Sequence, residues 1–400
     1  MEQVYIFMLF VFAVLAIIDL TVGVSNDAGN FLNSAVGSKV ATLRTIMIVA
    51  SVGVAIGAIF SSGMMEIARK GIFNPSQFYF DEVMVIFMSV ILADILLLDL
   101  FNTIGLPTST TVSIVFELLG AAMCVAFIKT LQADQPLSDI YNYINTTEAR
   151  KIILGIFVSV AIAFVVGAVV EYIGGVFGGF SLTALSYFII FKGLKDVTFI
   201  PKTAIEWMND NIGMLLIGCL VFYSILSHIL IRMGVNIFRI IILSGTFALS
   251  MAFAGNDLVN FIGVPVAAYQ SYDIWHNSGV AHNALEMTAL GSGQMSTPTA
   301  ILLLTGAIMI LTLWFSKKAH HVIQTGVNLS RQSEGAEQFS ANFLSRFLVR
   351  ITVGTANFIE FITPKSISRK IDKRFEKPAP NPDIKEEDLP AFDLVRAAIN

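Results

Sequence analysis

The sequence predicts an all-α polytopic membrane protein, arranged as an inverted-topology repeat with interrupted helices or re-entrant half-helices. Composition is the first ground: of 400 residues, 55% are hydrophobic and 14% charged, whereas about a quarter of a soluble domain is charged. Run length is the second. Mean hydropathy is +0.75, and apolar runs of 16 to 22 residues recur. A hydrocarbon core of about 30 Å takes about 20 helical residues to cross. The runs lack the alternation of barrel strands. The third ground is a repeat. Asn26-Asp27-x-x-Asn30-Phe31 returns as Asn256-Asp257-x-x-Asn260-Phe261, and both copies lie in long apolar stretches. Polar residues at membrane depth signal function by default, and matching breaks in two halves of a chain mark a carrier's binding site.

Apolar runs fall near 3–24, 45–60, 83–101, 110–128, 152–173, 176–191, 212–231, 238–255 and 298–315. Shorter stretches at 28–38 and 258–270 follow the two motifs and read as candidate half-helices. The first run starts almost at Met1 with no basic segment before it, so it reads as a retained helix. The expected organisation is a first repeat over 1–130, connecting transmembrane helices over 131–235, and a second, incomplete repeat over 236–315. A polar loop follows over 316–390, and the start of a truncated helix over 391–400. Of 25 Lys and Arg, 13 lie in residues 316–400. There Lys377-Pro378-Ala379-Pro380-Asn381-Pro382 reads as a stiff linker, followed by an acidic stretch from Asp383 to Asp388. Cys124 and Cys219 both sit in apolar runs and read as packed thiols rather than a disulfide or metal pair.

Basic residues set the orientation. Lys39 and Arg44 mark an inside end after the first motif, and Arg232 and Arg239 an inside start before the second. The loop 273–297 has Asp273 and Glu286 but no Lys or Arg, so it belongs outside, as does 130–150. The N-terminus is expected outside and 316–390 in the cytoplasm. The loop 192–211 disagrees, since it would lie outside yet holds Lys192, Lys195 and Lys202. On this count the two motif-bearing elements cross the membrane in opposite directions.

Asp and Asn compete with the helix backbone, and at a break they become useful. A helix that restarts presents free N–H groups and its positive dipole end to an anion, while carbonyls of the stopped helix and an Asp carboxylate suit Na⁺ or H⁺. An ordinary kink or cap explains a single Asn-Asp pair as well, but less readily a duplicated one. Between two apolar runs stands Gly105-Leu106-Pro107-Thr108-Ser109-Thr110-Thr111. Pro107 disfavours helix at Leu106 and suits the first turn of the next helix. Ser109, Thr110 and Thr111 follow as oxyanion donors, or as simple N-caps. The other acids at membrane depth are Asp19, Asp94, Asp99, Glu117 and Glu171, each a candidate for cation coupling, for pairing or for an interfacial position. Asp94 and Asp99 are about 500° apart on a helix and do not share a face. No Lys or Arg sits in the middle of an apolar run within 1–315, so an anion site here would be built from dipoles, hydroxyls and amides, with cations neutralising it. His276 and His282 read as residues of the outside loop, and His320 and His321 as residues of an inside helix end. Asn145-Thr146-Thr147 matches a glycosylation sequon by pattern only.

These residues resemble the inorganic phosphate transporter (PiT) family. Its repeated signature, Gly-Ala-Asn-Asp-x-x-Asn followed by small residues, is similar to Val24-Ser25-Asn26-Asp27-Ala28-Gly29-Asn30 and to Ala254-Gly255-Asn256-Asp257-Leu258-Val259-Asn260. Its Pro-Ile-Ser-Thr-Thr-His element resembles Pro107-Thr108-Ser109-Thr110-Thr111-Val112. The likeness covers roughly residues 1–330. Val24 and Ala254 depart from the family's Gly, and Val112 from its His. No second Pro-x-Ser-Thr-Thr element occurs, which suggests a C-terminally truncated member.

The resemblance implies a secondary carrier, not an enzyme, that symports inorganic phosphate with Na⁺ or H⁺ by alternating access and needs no organic cofactor. Substrate would be bound by Asn26, Asp27, Asn30, Ser109, Thr110, Thr111, Asn256, Asp257 and Asn260. Asp27, Asp257 and Asp94 would couple the cation, with no metal beyond Na⁺ at Asp27 and Asp257. The expected partners are phosphate, Na⁺ or H⁺ and the lipid bilayer of the plasma (inner) membrane, with no nucleic acid and with homo-oligomerisation left open. A sulfate or other oxyanion permease is the nearest alternative. A passive channel and an intramembrane aspartyl-type hydrolase come from other classes.

Overall fold

The computed structural model describes residues 2–60, 72–147, 150–151, 153–159, 162, 177–187, 202–292, 299–331, 340, 342–365 and 390–399. Glu171, the loop residues Lys192 and Lys195, most of the run 152–173, and the linker and acidic stretch of 377–388 lie outside the described residues. Those described form helices joined by turns, with two isolated β-bridges, Phe73 with Ile144 and Tyr79 with Glu286.

In order, the helices that matter for the site are α1 (Glu2–Gly37), α2 (Leu43–Phe60), α3 (Phe80–Thr103) and α4 (Thr110–Gln132). They are followed by α5 (Phe177–Tyr187), α6 (Lys202–Asp210), α7 (Ile212–Arg232) and α8 (Ile237–Ser278). The series ends with α9 (Thr299–Phe315), α10 (Lys317–Leu329), α11 (Phe343–Ile362) and α12 (Leu394–Ile399). Five of them, α1, α3, α4, α7 and α8, are long and apolar enough to cross a membrane. Large apolar side chains such as Phe7, Phe10, Leu96 and Phe222 lie exposed along these helices, as expected of surfaces solvated by lipid rather than water.

The two Asn-Asp motifs do not break their helices. α1 runs 36 residues through Asn26–Asn30, and α8 runs 42 residues through Asn256–Asn260 and past Pro265. The expected half-helices at 28–38 and 258–270 are the continuing ends of these helices. The physical reason is that the motif side chains find partners elsewhere. Asn30 bonds Asp27 one turn away, Asn26 bonds across to the α3–α4 connection, and Asn260 to the first turn of α4. Nothing then competes for the backbone ladder. A sharp break falls instead at Ser316, where α9 and α10 meet at 66°. Ser316 caps α10 by accepting from the Ala319 N–H (3.2 Å), and its Oγ is 2.7 Å from Ser25 Oγ on α1.

α1 and α8 are antiparallel. Glu2 at the start of α1 pairs with His276 near the end of α8 (3.2 Å). Around that end gather Tyr5, Phe80 and Trp275, the latter two stacked at 4.8 Å. The turn at 72–79 and the segments 143–145 and 285–287 join them through backbone bonds. Lys129 near the end of α4 reaches Glu82 there (2.9 Å). The opposite end carries Gly37, whose carbonyl accepts from Ala391 N–H (2.8 Å). The N-terminus, 130–147 and the segment after α8 therefore share one end of the molecule.

α2 lies against α8 at backbone distance. A Cβ on Gly53 would meet Ser250 Oγ at 2.0 Å and the Phe247 carbonyl at 2.5 Å; one on Gly57 would meet the Met251 carbonyl at 2.1 Å. Gly53 and Gly57 are four apart on one face, the spacing by which membrane helices approach closely when no hydrophobic effect drives them together. Within the segment read as a polar loop, α10 buries Ala319, Val322, Ile323, Thr325 and Gly326. Gly326 sits where a Cβ would collide with the amide of Asn33 of α1 (2.2 Å). Both cysteines are free, and Cys124 is exposed rather than packed.

Candidate functional site

Between α1, α8 and the start of α4 lies a cavity of about 450 Å³, lined by Asp27, Asn30, Pro107, Thr108, Ser109, Thr110, Thr111, Phe253, Asn256 and Asp257. Residues 230 positions apart in sequence, Asp27 and Asp257, thus share one wall. Their carboxyl groups are neighbours in that wall. Asp27 also accepts from Thr110 Oγ1 (2.7 Å) and from Asn30 Nδ2 (2.9 Å). Asp257 is 1% exposed, and its Oδ2 has no protein partner.

The third wall is the N-terminus of α4. Ser109 is its N-cap, accepting from Val112 N–H (3.4 Å). Its hydroxyl neighbours Thr110 and Thr111 stand in the first turn, where N–H groups have no helical acceptor. The positive dipole end of α4 points at the cavity, so the anion-favouring helix terminus comes from this turn alone, since α1 and α8 are continuous. No Lys, Arg or His lines the cavity among the described residues.

The two motifs contribute unequally. Asn30 and Asn256 line the cavity and are exposed to it. Asn26 and Asn260, buried, stand behind the wall. Asn26 Nδ2 donates to Asn102 Oδ1 (2.8 Å) and to the Leu106 carbonyl (3.0 Å), while its Oδ1 accepts from Thr108 N–H (2.7 Å). It clamps the turn that precedes α4. Asn260 Nδ2 donates to Thr111 Oγ1 (3.1 Å) and to Thr110 Oγ1 (3.4 Å). Each motif therefore has one Asn facing the cavity and one holding the Ser-Thr-Thr turn, in reversed sequence order, as two helices running in opposite directions require.

Asp94 is not in the cavity wall. It lies next to it, with Ser113 Oγ (2.9 Å) and the carboxyls of Asp19 and Glu117. Asp99 pairs with Lys318 at the edge of the fold. His282 pairs with Asp81 (3.4 Å), and the His321 ring packs where a Cβ on Gly105 (φ +72°) would stand. Two contributors had little signal in the sequence. Asn102, fully buried, receives Asn26 and donates to the Val22 carbonyl (2.7 Å); in sequence it is merely a polar residue closing an apolar run. Phe253, whose ring lies 5.7 Å from that of Phe31, is one apolar residue among many.

A bundle of apolar helices around a polar cavity of paired acids, amides and hydroxyls defines a membrane protein with a solute-sized polar site at helix depth. Comparison with known proteins agrees: a family model described as "Phosphate transporter family" matches residues 23–356, and the chain belongs to that family. It is similar to a protein named "Putative phosphate permease" from Thermococcus kodakarensis, 35% identical over 105 residues, or 26% of each chain. A protein of the same description from Pyrococcus furiosus is 31% identical over 123 residues, or 30% of each chain. These matches span between a quarter and a third of the curated relatives' length. A solved structure described as "The sodium-dependent phosphate transporter" shares the fold, with a TM-score of 0.58 at 20% identity over 80% of this chain and 78% of that one.

Proposed function

We propose that the protein is a secondary carrier that symports inorganic phosphate with a cation by alternating access, with the cavity between α1, α4 and α8 as its site. The observation that carries this reading is that both Asn-Asp motifs and the Ser-Thr-Thr turn meet in one cavity without a basic residue among those described. A phosphate beside two carboxylates is strongly disfavoured by charge alone. At an effective dielectric near 20, like charges about 4 Å apart repel by about 4 kcal/mol. A cation between Asp27 and Asp257 removes that repulsion, and the anion then meets hydroxyls, amides and a helix N-terminus. Each ligand needs the other, which is the thermodynamic content of symport.

In this reading Asp27 and Asp257 hold the cation. Ser109, Thr110, Thr111, Asn30 and Asn256 donate to phosphate oxygens, and Asn26 and Asn260 fix the turn that presents the hydroxyls. The names of the relatives support phosphate, and the sodium dependence ascribed to the structural neighbour supports Na⁺ as the coupling ion. The segments 1–130 and 236–315 act as inverted repeats that rock about the cavity. The end bearing Glu2 faces outward and the end bearing Gly37 the cytoplasm, following the basic residues at 39, 44, 317 and 318.

The test is ³²P-phosphate uptake into proteoliposomes containing the full chain, under separate Na⁺ and pH gradients, with arsenate and sulfate as competitors. Saturable uptake driven by the Na⁺ gradient is expected, inhibited by arsenate and not by sulfate. Asp27→Asn and Asp257→Asn should each abolish the gradient-driven component. Wild-type uptake by both variants would refute the site; equal competition by sulfate would change the substrate.

A further inference from the structure

Beside the cavity, three acids from three helices meet. Asp19 of α1 lies beside Asp94 of α3, and Asp94 beside Glu117 of α4, the last two bridged by Ser113. Ser113 Oγ lies 2.9 Å from Asp94 Oδ1 and 2.8 Å from Glu117 Oε1, and its single proton serves only one of them. Asp19 and Asp94 are 1% and 0% exposed. Asp19 Oδ1, Asp94 Oδ2 and Glu117 Oε2 are buried with no partner. Such orphaned oxygens at membrane depth are costly and call for a ligand.

Several positive groups on the surrounding elements are engaged elsewhere. Lys129 of α4 is with Glu82, Lys318 of α10 with Asp99, His276 of α8 with Glu2, and His282 with Asp81. His321 of α10 packs against Gly105. Among the described residues, the cluster also neighbours the acid Asp27 of α1, which in turn neighbours Asp257 of α8. Ser113 bridges two carboxyl groups with one hydroxyl proton, so one of those carboxyls must carry the proton that completes the bridge, because two carboxylates offer only acceptors. A bound metal is a poorer fit. The acids stand in a row, Asp19–Asp94–Glu117, and no set of three acidic, His or Cys side chains among the described residues converges on a metal position.

We propose that Asp19, Asp94, Ser113 and Glu117 form a proton-binding site separate from the cavity, which keeps at least one shared proton at neutral pH and exchanges it during the transport cycle. Asp94 lies within the electrostatic reach of Asp27. A cation bound at Asp27 weakens the negative field on the row, so cation binding releases protons and acidification disfavours the cation, by reciprocal linkage. This link rests on Asp27 being a cation ligand; the shared proton does not.

Infrared spectroscopy of the purified full chain tests both parts. The background is the Asp27→Asn, Asp257→Asn double variant, which removes the cavity's own carboxyl pair. A protonated-carboxyl stretch that shifts in D₂O is expected there at neutral pH, insensitive to Na⁺. Adding Asp94→Asn, which takes both contacts, should remove at least half of its intensity, and Glu117→Gln, at the more exposed end, part of it. No such band in the background, or its loss on adding Na⁺, overturns the proposal; the second outcome makes the row a Na⁺ site. In the wild type, Na⁺ should diminish the band. If it does not while the background band persists, the proton site stands and the cation role of Asp27 falls.

Discussion

Asn26 shows what one side chain contributes to this site. It commits both donors and its acceptor to Asn102 at the end of α3 and to Leu106 and Thr108 in the turn before α4. Asn26→Ala leaves the part-buried Thr108 N–H and the buried Asn102 amide without their partner. An unsatisfied buried group costs about 1–3 kcal/mol, enough to lower the melting temperature in detergent by several degrees. Because the turn carries Ser109 to Thr111, the KM for phosphate should rise as well, and more than kcat falls. An unchanged melting curve would show that the clamp carries no load. Asn256→Ala should behave oppositely, weakening uptake while leaving the melting temperature near that of the wild type, because its side chain faces the cavity.

Among elements, the α2–α8 contact is set by backbone proximity. Gly57→Leu would push a side chain into the Met251 carbonyl, 2.1 Å from the position of its Cβ. Neither backbone can yield without parting the helices, and α8 carries Asn256 and Asp257 about one and a half turns further along. The expected result is poor recovery of folded protein in fluorescence-detected size exclusion and loss of uptake. Gly120→Ala on α4 is the control. Nothing lies within 4 Å of its added Cβ, and Ala is the better helix former by about 1 kcal/mol, so stability should hold or rise. Equal behaviour of the two variants would refute the close-packed contact. α10 obeys the same logic at Gly326, wedged under Asn33.

For the whole molecule, the pairing of Glu2 with His276 and of Lys129 with Glu82 places the N-terminus, the end of α4 and the end of α8 together. Arg331 follows α10, whose start meets the far end of α3 through Lys318 and Asp99. In a Cys124→Ser, Cys219→Ser background, Asp139→Cys and Asn277→Cys should react with an impermeant maleimide in intact cells, and Arg331→Cys only in inverted vesicles. Labelling of all three from one side would contradict the assigned topology.

The sequence by itself determined the class and singled out the motifs that meet in the cavity. Apolar runs of membrane length, the duplicated Asn-Asp motif and Pro107–Thr111 were legible because hydropathy and polarity in oil are local properties. The basic residues also indicated the opposite directions of α1 and α8. Tertiary structure alone decided that these helices pass unbroken through their motifs. Whether Asn or Asp unwinds a helix depends on what faces it, and here Thr110, Asn102 and the Leu106–Thr108 turn do. It also decided which Asn of each motif meets the cavity and which clamps the turn, and that Asp94 stands in a row with Asp19 and Glu117 rather than in the cavity wall. Those outcomes depend on how three helices rotate against each other, which small-residue contacts such as Gly53 and Gly57 settle over distances that no local pattern records.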